Sequence, residues 1–146
     1  MTSQGFTDQV IQRLRQEGMK LTPQRLAVVR YLDGNRAHPS VEEIHRGVVR
    51  EFPTISLATV YNTLEMLERL EVVQSVFLNG GRRRYDPVTR PHHHAVCRRC
   101  HRVEDIFPET TEPIPVPGAV TEGFCEVVAV VLYQGLCRSC SGYVVS

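Results

Sequence analysis

The sequence predicts an α+β protein with a helical first part, a β-hairpin after it and a small α/β second part that carries two cysteine pairs. Apolar side chains recur at helical spacing as far as Leu67. A glycine-containing turn then separates two short strand-forming runs, and C-x-x-C pairs begin at Cys97 and Cys137. The chain has 146 residues, 42% of them hydrophobic, which is enough for two small cores.

The first two segments have the pattern of amphipathic helices with recognisable ends. Residues 7–17 carry apolar side chains three and four apart, and Gly18 follows where a left-handed C-cap is expected. Thr22 and Pro23 then supply an N-cap hydroxyl and a first-turn proline, and Gly34 lies just beyond the second helix. The positions predicted to face inward are Val10, Ile11, Leu14, Leu26, Val29 and Leu32.

Two further helices are predicted. Ser40 and Glu43 form a capping box at the start of the third, and Pro53 lies just past its end. Ser56 opens the fourth. The predicted apolar stripes are Val41, Ile44, Val48 and Phe52 on the third helix, and Leu57, Val60, Tyr61, Leu64 and Leu67 on the fourth. The predicted outward residues of the fourth helix are Ala58, Thr59, Asn62 and Met66.

The segment after the fourth helix has the pattern of a basic hairpin. Residues 72–78 favour a strand, residues 79–81 can adopt the positive φ values of a tight turn, and residues 82–85 return. Short helices followed by such a hairpin are typical of a winged helix, whose last long helix enters the DNA major groove while the hairpin forms the wing. The alternative is a small helical domain with Arg82, Arg83 and Arg84 as solvated surface.

The second part contains ligands at metal-binding spacing. Cys97 with Cys100, and Cys137 with Cys140, can give four thiolates to one tetrahedral ion, which predicts a closed, structural zinc site. The alternative is a pair of independent redox-active motifs. The remaining cysteine, Cys125, is predicted to be buried and structural, because it precedes an alternating apolar run.

A histidine run lies just before the first cysteine pair. In an extended segment His92 and His94 share one face and His93 points to the other. An H-x-H pair flanked by carboxylates favours a second metal site over ordinary surface histidines. Residues 103–106 and 126–133 are predicted to be strands, so that a small sheet carries both sites.

The sequence predicts a cytoplasmic protein that does not enter a membrane. No apolar run approaches the roughly 18 residues of a membrane span, and residues 1–8 lack the order of a secretory signal. Without export, the five cysteines favour metal ligation over disulfides. A formal net charge of +1 neither requires nor excludes nucleic acid.

The most specific segments resemble the ferric uptake regulator family over nearly the whole chain. They are residues 21–25, 37–39, 56–62, 92–100 and 137–140. The resemblance implies a transcriptional repressor, not an enzyme, that binds double-stranded operator DNA as a homodimer when a regulatory divalent ion is bound. The four paired cysteines would hold structural Zn²⁺.

The resemblance also implies a set of regulatory ligands and DNA contacts. The ligands are His38, Asp86, His92, His94 and Asp105. Aspartate at both carboxylate positions is similar to the peroxide-sensing branch and implies Fe²⁺ or Mn²⁺. With iron bound, peroxide would oxidise His38 or His92 and release the operator. The implied DNA contacts are Lys20, Arg25, Ser56, Ala58, Thr59, Tyr61, Asn62, Arg82, Arg83 and Arg84, although Tyr61 could instead pack in the core.

The predicted organisation is a winged-helix DNA-binding domain at residues 1–86, a hinge at 87–91 and a zinc-stapled dimerisation domain at 92–146. The prolines within residues 113–117 disfavour a helix that relatives carry there. Three alternatives stay open. One is an iron-, manganese- or zinc-uptake regulator without peroxide sensing. The others are a zinc metalloenzyme and a zinc-dependent interaction module that does not bind DNA.

Overall fold

The computed structural model describes residues 5–78, 81–107 and 114–142. The chain divides into two units, Met1–Thr89 and Arg90–Ser146, and the division falls inside the segment 87–91 expected to be a hinge. Within the described ranges, no helix combines the length and the apolar character needed to cross a membrane.

Four helices form most of the first unit, and their ends follow the predicted caps. They are α1 (Phe6–Gln16), α2 (Pro23–Leu32), α3 (Val41–Val48) and α4 (Leu57–Arg69). At the start of α2, Thr22 Oγ1 accepts a hydrogen bond from the Arg25 N–H at 3.3 Å. At α3 the predicted capping box is confirmed, since Ser40 N–H donates to Glu43 Oε2 at 2.8 Å and Glu43 N–H donates to Ser40 Oγ at 3.3 Å.

The core of the first unit collects one face of each helix. Its most buried side chains, none more than 3% exposed, are Val10, Leu14, Val28, Val29, Leu32, Ile44, Val48, Val60, Leu64, Met66, Leu67, Val73 and Tyr85. The prediction for α4 was wrong at three positions. Met66 is 2% exposed, whereas Leu57 and Tyr61 are 44% and 40% exposed. The buried face of α4 is centred on Val60, Leu64 and Leu67, so Leu57 and Tyr61 lie at its margin.

A two-stranded antiparallel sheet completes the first unit as a winged helix. Strand β1 (Gln74–Leu78) pairs with β2 (Arg82–Asp86), and the register runs from Gln74 opposite Asp86 to Leu78 opposite Arg82. Gly81 has φ +72°, a value that the predicted turn requires of a glycine. The first two turn residues, 79 and 80, lie outside the described residues.

The second unit is built on a three-stranded sheet. Strand β3 (His93–Cys97) lies between β4 (Val103–Ile106), which is antiparallel to it, and β5 (Leu132–Gly135), which is parallel to it. Two one-turn helices, α5 (Gly118–Thr121) and α6 (Arg138–Ser141), flank β5 in sequence. The predicted strand at 103–106 is therefore confirmed, and the chain is an α+β protein.

Two predictions for the second unit were wrong. The strand expected at 126–133 is limited to β5, because Glu126 has φ +53° and the alternating Val128 and Val130 are 62% and 58% exposed. Cys125, expected to be buried, is exposed, since this segment does not pack on the sheet. Residues 114–117 form no helix, and α5 begins only at Gly118, as the prolines suggested.

Candidate metal sites and nucleic-acid surface

The four paired cysteines converge in the second unit. Their Sγ atoms lie within 4.8 Å of one another, and none is in a disulfide. Cys100 Sγ and Cys137 Sγ are 3.7 Å apart. Four sulfurs about 2.3 Å from a tetrahedral Zn²⁺ would be about 3.8 Å apart. The cluster therefore has the size of a zinc–thiolate site, as the doubled C-x-x-C pattern predicted.

Strand pairing and backbone donors prepare this cluster. Parallel pairing places Cys97 opposite Gly135, which brings the two C-x-x-C segments together. The backbone N–H groups of Cys100 and Cys137 donate to Cys97 Sγ at 3.5 and 3.3 Å. These hydrogen bonds lower the pKa of Cys97 to about 5, which favours the thiolate, the form that binds metal. A hydrogen bond with the Cys137 side chain, followed by burial, raises the pKa of Cys140 to about 12.

The first unit contains one histidine–carboxylate pair of the predicted regulatory set. His38 Nε2 and Asp86 Oδ2 are 3.3 Å apart, and both residues are 1% exposed. Asp86 ends β2, and its other oxygen, Oδ1, accepts the Val88 N–H at 2.8 Å. This hydrogen bond orients the carboxylate so that Oδ2 faces the imidazole. Sequence reasoning missed the contribution of Val88, because a backbone N–H has no signature in a residue pattern.

The second unit contains the other three predicted ligands. Residues His94 and Asp105 are opposite each other on β3 and β4. The Asp105 Oδ1 atom is 3.1 Å from His92 Nε2 and 3.5 Å from His94 Nε2. Both histidines are buried. His93 points to the other face, where its Nδ1 accepts the Val131 N–H at 3.1 Å. The predicted alternation of the H-x-H pair therefore holds.

The hydrogen bond at His92 Nδ1 indicates what kind of group this cluster of His92, His94 and Asp105 can bind. His92 Nδ1 lies 2.8 Å from the Arg90 carbonyl oxygen, which can only accept, so Nδ1 carries the proton. In a neutral ring Nε2 then presents a lone pair to the Asp105 carboxylate, and a cation between the two acceptors turns repulsion into attraction. Phe107 packs on the same ring with centroids 5.0 Å apart. Imidazole with carboxylate is a donor set suited to divalent iron, manganese or zinc.

The expected DNA contacts on and before α4 lie at the surface. Ser56, Ala58 and Asn62 are exposed, Thr59 is half-buried, and Tyr61 is 40% exposed instead of packed in the core. Ser56 Oγ caps α4 by accepting the Thr59 N–H at 3.0 Å. Lys20 is exposed, and Arg25 Nη1 donates to its carbonyl oxygen at 3.2 Å. These side chains are accessible to a duplex.

The three arginines of the wing differ in their surroundings. Arg82 is exposed. Arg83 is ion-paired with Glu68 of α4 and lies 5.5 Å from the ring centre of Tyr85. Arg84 is 18% exposed and contacts groups inside the first unit. Of the basic run, Arg82 is therefore best placed to meet a phosphate, a distinction that three consecutive arginines in a sequence do not reveal.

Comparisons with known proteins point to one family. The profile of the Ferric uptake regulator family matches residues 16–127. The chain is 31% identical over 134 residues to the peroxide-responsive repressor PerR of Staphylococcus epidermidis, covering 91% of this chain and 89% of that protein. A crystal structure of the Campylobacter jejuni peroxide stress regulator is 35% identical with a TM-score of 0.54, covering 67% of this chain and 72% of that one. A zinc-bound manganese uptake regulator has a TM-score of 0.65 and 25% identity, covering 87% and 97%.

Proposed function

Because the chain belongs to the ferric uptake regulator family, we propose that it is a transcriptional repressor that binds operator DNA as a homodimer and senses peroxide through a regulatory metal ion. The observation that carries this proposal is the convergence of two histidine Nε2 atoms on one oxygen of Asp105, with the other nitrogen of His92 fixed as a donor. Such a cluster binds a divalent cation in the neutral imidazole state.

We propose that the regulatory ion is bound by the ligand set that the family resemblance implies, His38, Asp86, His92, His94 and Asp105. Three neutral imidazoles and two carboxylates balance the charge of a divalent ion, whereas the two carboxylates repel each other without it. Occupancy would then favour the form of the dimer that binds DNA. A dimer of winged helices reads two half-sites about 34–36 Å apart.

Structural Zn²⁺ is the proposed occupant of the four cysteines. A site closed by four thiolates leaves no position for water, so the ion stabilises the fold and performs no chemistry. This distinguishes the chain from a zinc metalloenzyme. The proposed location is the cytoplasm, where operator DNA lies.

A second copy of the chain is the proposed partner of the second unit. On β5 and the segments that flank it in sequence, this unit exposes large apolar side chains, namely Phe124, Val128, Val130, Leu132, Tyr133 and Leu136. An apolar surface of this kind marks an interaction site. Pairing two copies through it would place the two winged helices on one duplex, with Tyr61 and the start of α4 in the major groove and Arg82 at the phosphates.

Fe²⁺, when bound, would supply the electron that breaks the O–O bond of peroxide, and Mn²⁺ would not. In the iron form one peroxide oxygen would be inserted into a ring C–H bond of His38 or His92, the other oxygen would leave as water, and the altered ring would no longer be a ligand. The operator is then released. The names of the similar PerR proteins support peroxide sensing, while the zinc-bound manganese uptake regulator supports the second candidate, a metal-uptake regulator without peroxide sensing.

Replacing Asp105 tests the regulatory site. Asp105→Ala is expected to weaken Mn²⁺ binding and Mn²⁺-dependent DNA binding while leaving zinc and thermal stability at wild-type levels. The matched control is Glu104→Ala, which removes the neighbouring carboxylate on β4, an exposed one that pairs only with Arg102 at 2.9 Å among the contacts described. If both variants bind DNA with the same Mn²⁺ dependence as wild type, the regulatory role of Asp105 is wrong.

A further inference from the structure

Strand β2 runs from the surface of the wing to a ligand of the proposed regulatory site. Arg82, Arg84 and Asp86 share one face of this strand, because side chains two apart point the same way. Along that face exposure falls from the exposed Arg82, through Arg84, which is 18% exposed, to the buried Asp86. Arg84 therefore occupies the middle of a short path between the wing tip and the site.

The guanidinium of Arg84 holds the segment that carries His38. Its Nη1 donates to the His38 carbonyl oxygen at 3.1 Å and lies 3.7 Å from Glu43 Oε2. The same Glu43 oxygen accepts the Ser40 N–H in the capping box of α3. The Arg84 guanidinium thus joins the backbone of His38 to the start of α3, with a charge-assisted contact to each.

The His38 segment needs such support. His38 has φ +52°, in the left-handed region that a residue with a β-carbon rarely adopts. A conformation of this kind persists only where the surroundings fix it. Besides Arg84, the N–H of Tyr85 on β2 donates to the Pro39 carbonyl oxygen at 3.0 Å. Both contacts come from β2, so this strand sets where the His38 imidazole stands relative to Asp86.

We propose that Arg84 is a positioning residue for the metal ligand His38 and not a contact to DNA phosphate. The inference deepens the proposed function and rests on it. Arg84 holds the left-handed His38 backbone, so that Nε2 and the Asp86 carboxylate meet an incoming divalent ion already in place. Outer contacts that orient a ligand typically change metal affinity by about 10- to 100-fold when they are removed.

The test compares Arg84→Met with Arg82→Met, the same substitution two residues away on the same face. Both variants keep their zinc, and Mn²⁺ is the probe because it does not react with peroxide. Calorimetric titration gives the Mn²⁺ affinity. Binding to a duplex selected from a random pool, measured at saturating Mn²⁺ over a range of salt, gives the slope of log K against log[salt]. The magnitude of that slope falls by about 0.9 for each phosphate that the protein no longer neutralises.

Arg84→Met is expected to bind Mn²⁺ about 10- to 100-fold more weakly and to keep the wild-type salt slope. Arg82→Met is expected to bind Mn²⁺ normally and to reduce the magnitude of the slope by about 2 in a dimer, one phosphate per subunit. If Arg84→Met does not show the native circular dichroism, Arg84→Gln is measured and scored in the same way.

The positioning role is overturned if the Arg84 variant binds Mn²⁺ within about twofold of wild type, or if its salt slope falls as that of Arg82→Met does. Failure of the proposed function looks different. In that case the wild-type protein itself binds no Mn²⁺ beyond its zinc, or its DNA affinity does not respond to Mn²⁺.

Discussion

Serine in place of Cys97 is expected to release zinc and to unfold the second unit while the first unit stays folded. Cys97 is buried, ends β3 and accepts backbone N–H groups from both cysteine segments, so it stands at the centre of the cluster. Zinc contributes about 10–16 kcal/mol to the folding of zinc-finger peptides, and one thiolate in four corresponds to about 2.5–4 kcal/mol. That loss weakens zinc binding by about 10²- to 10³-fold.

The described part of the second unit buries few apolar side chains that could stabilise it without zinc. Among its described residues, the buried apolar side chains are three, Val96, Cys97 and Val103. In Cys97→Ser, Val96 and Val103 remain and contribute about 1.5–3 kcal/mol each, which does not replace the ion. The first unit keeps its own core, whose buried members all lie between Val10 and Tyr85. In Cys97→Ser the second unit is therefore expected to unfold under conditions in which the first unit stays folded.

Zinc occupancy and amide hydrogen exchange measure this separation. At a free zinc concentration tenfold above the wild-type Kd, wild type stays about 90% loaded and Cys97→Ser falls below about 15%. Amides of β3 and β5 lose protection, while those of α4 keep it. Cys125→Ser is the control, because that cysteine is exposed and outside the cluster. Wild-type zinc occupancy in Cys97→Ser, or loss of protection in α4 as well, would refute the reasoning.

Three further outcomes are expected. Tyr61→Ala weakens DNA binding by about 1–3 kcal/mol without lowering Tm, whereas Leu64→Ala, at a fully buried position, lowers the free energy of unfolding by about 2–5 kcal/mol; similar Tm losses in both would return Tyr61 to the core. Glu71→Gly relieves a left-handed residue with φ +58° and raises stability by about 1 kcal/mol in urea titrations, and no gain would contradict that strain. Peroxide adds one oxygen to His38 or His92 in the iron form and not in the manganese form. Loss of DNA binding with both histidines unmodified in the mass spectrum would contradict the mechanism.

Local signals in the sequence predicted most of the first unit. The Thr22 and Ser40 caps depend on residues at most three apart, so they can be recognised without tertiary structure. The burial of α4 is different, because a rotation of the buried stripe about the helix axis brings Thr63 into the core and takes Tyr61 out of it. Which of the two residues is buried depends on where α2 and α3 pack against α4, and the sequence of α4 alone does not contain that information.

The histidines, carboxylates and cysteines of the candidate metal sites could be picked out from their spacing, but the contacts that support them could not. Val88 and Arg90 act through the backbone, where any residue could supply the carbonyl group and any residue except proline the N–H. Arg84 has the side chain expected of a phosphate contact, but its guanidinium donates to the His38 carbonyl oxygen. The strand expected at 126–133 shows a further limit. Its alternating apolar residues fit a strand, but Val128 and Val130 are exposed and the regular strand β5 begins only at Leu132.

Coupling between the regulatory ion and DNA is the central claim, and one titration tests it most directly. Wild-type protein that keeps its zinc and holds no other metal is titrated with the selected duplex, with and without saturating Mn²⁺. Mn²⁺ should tighten DNA binding by about 5- to 150-fold, and the duplex should tighten Mn²⁺ binding by the same factor. Equal affinity for the duplex in both states would contradict the claim that metal occupancy controls this protein.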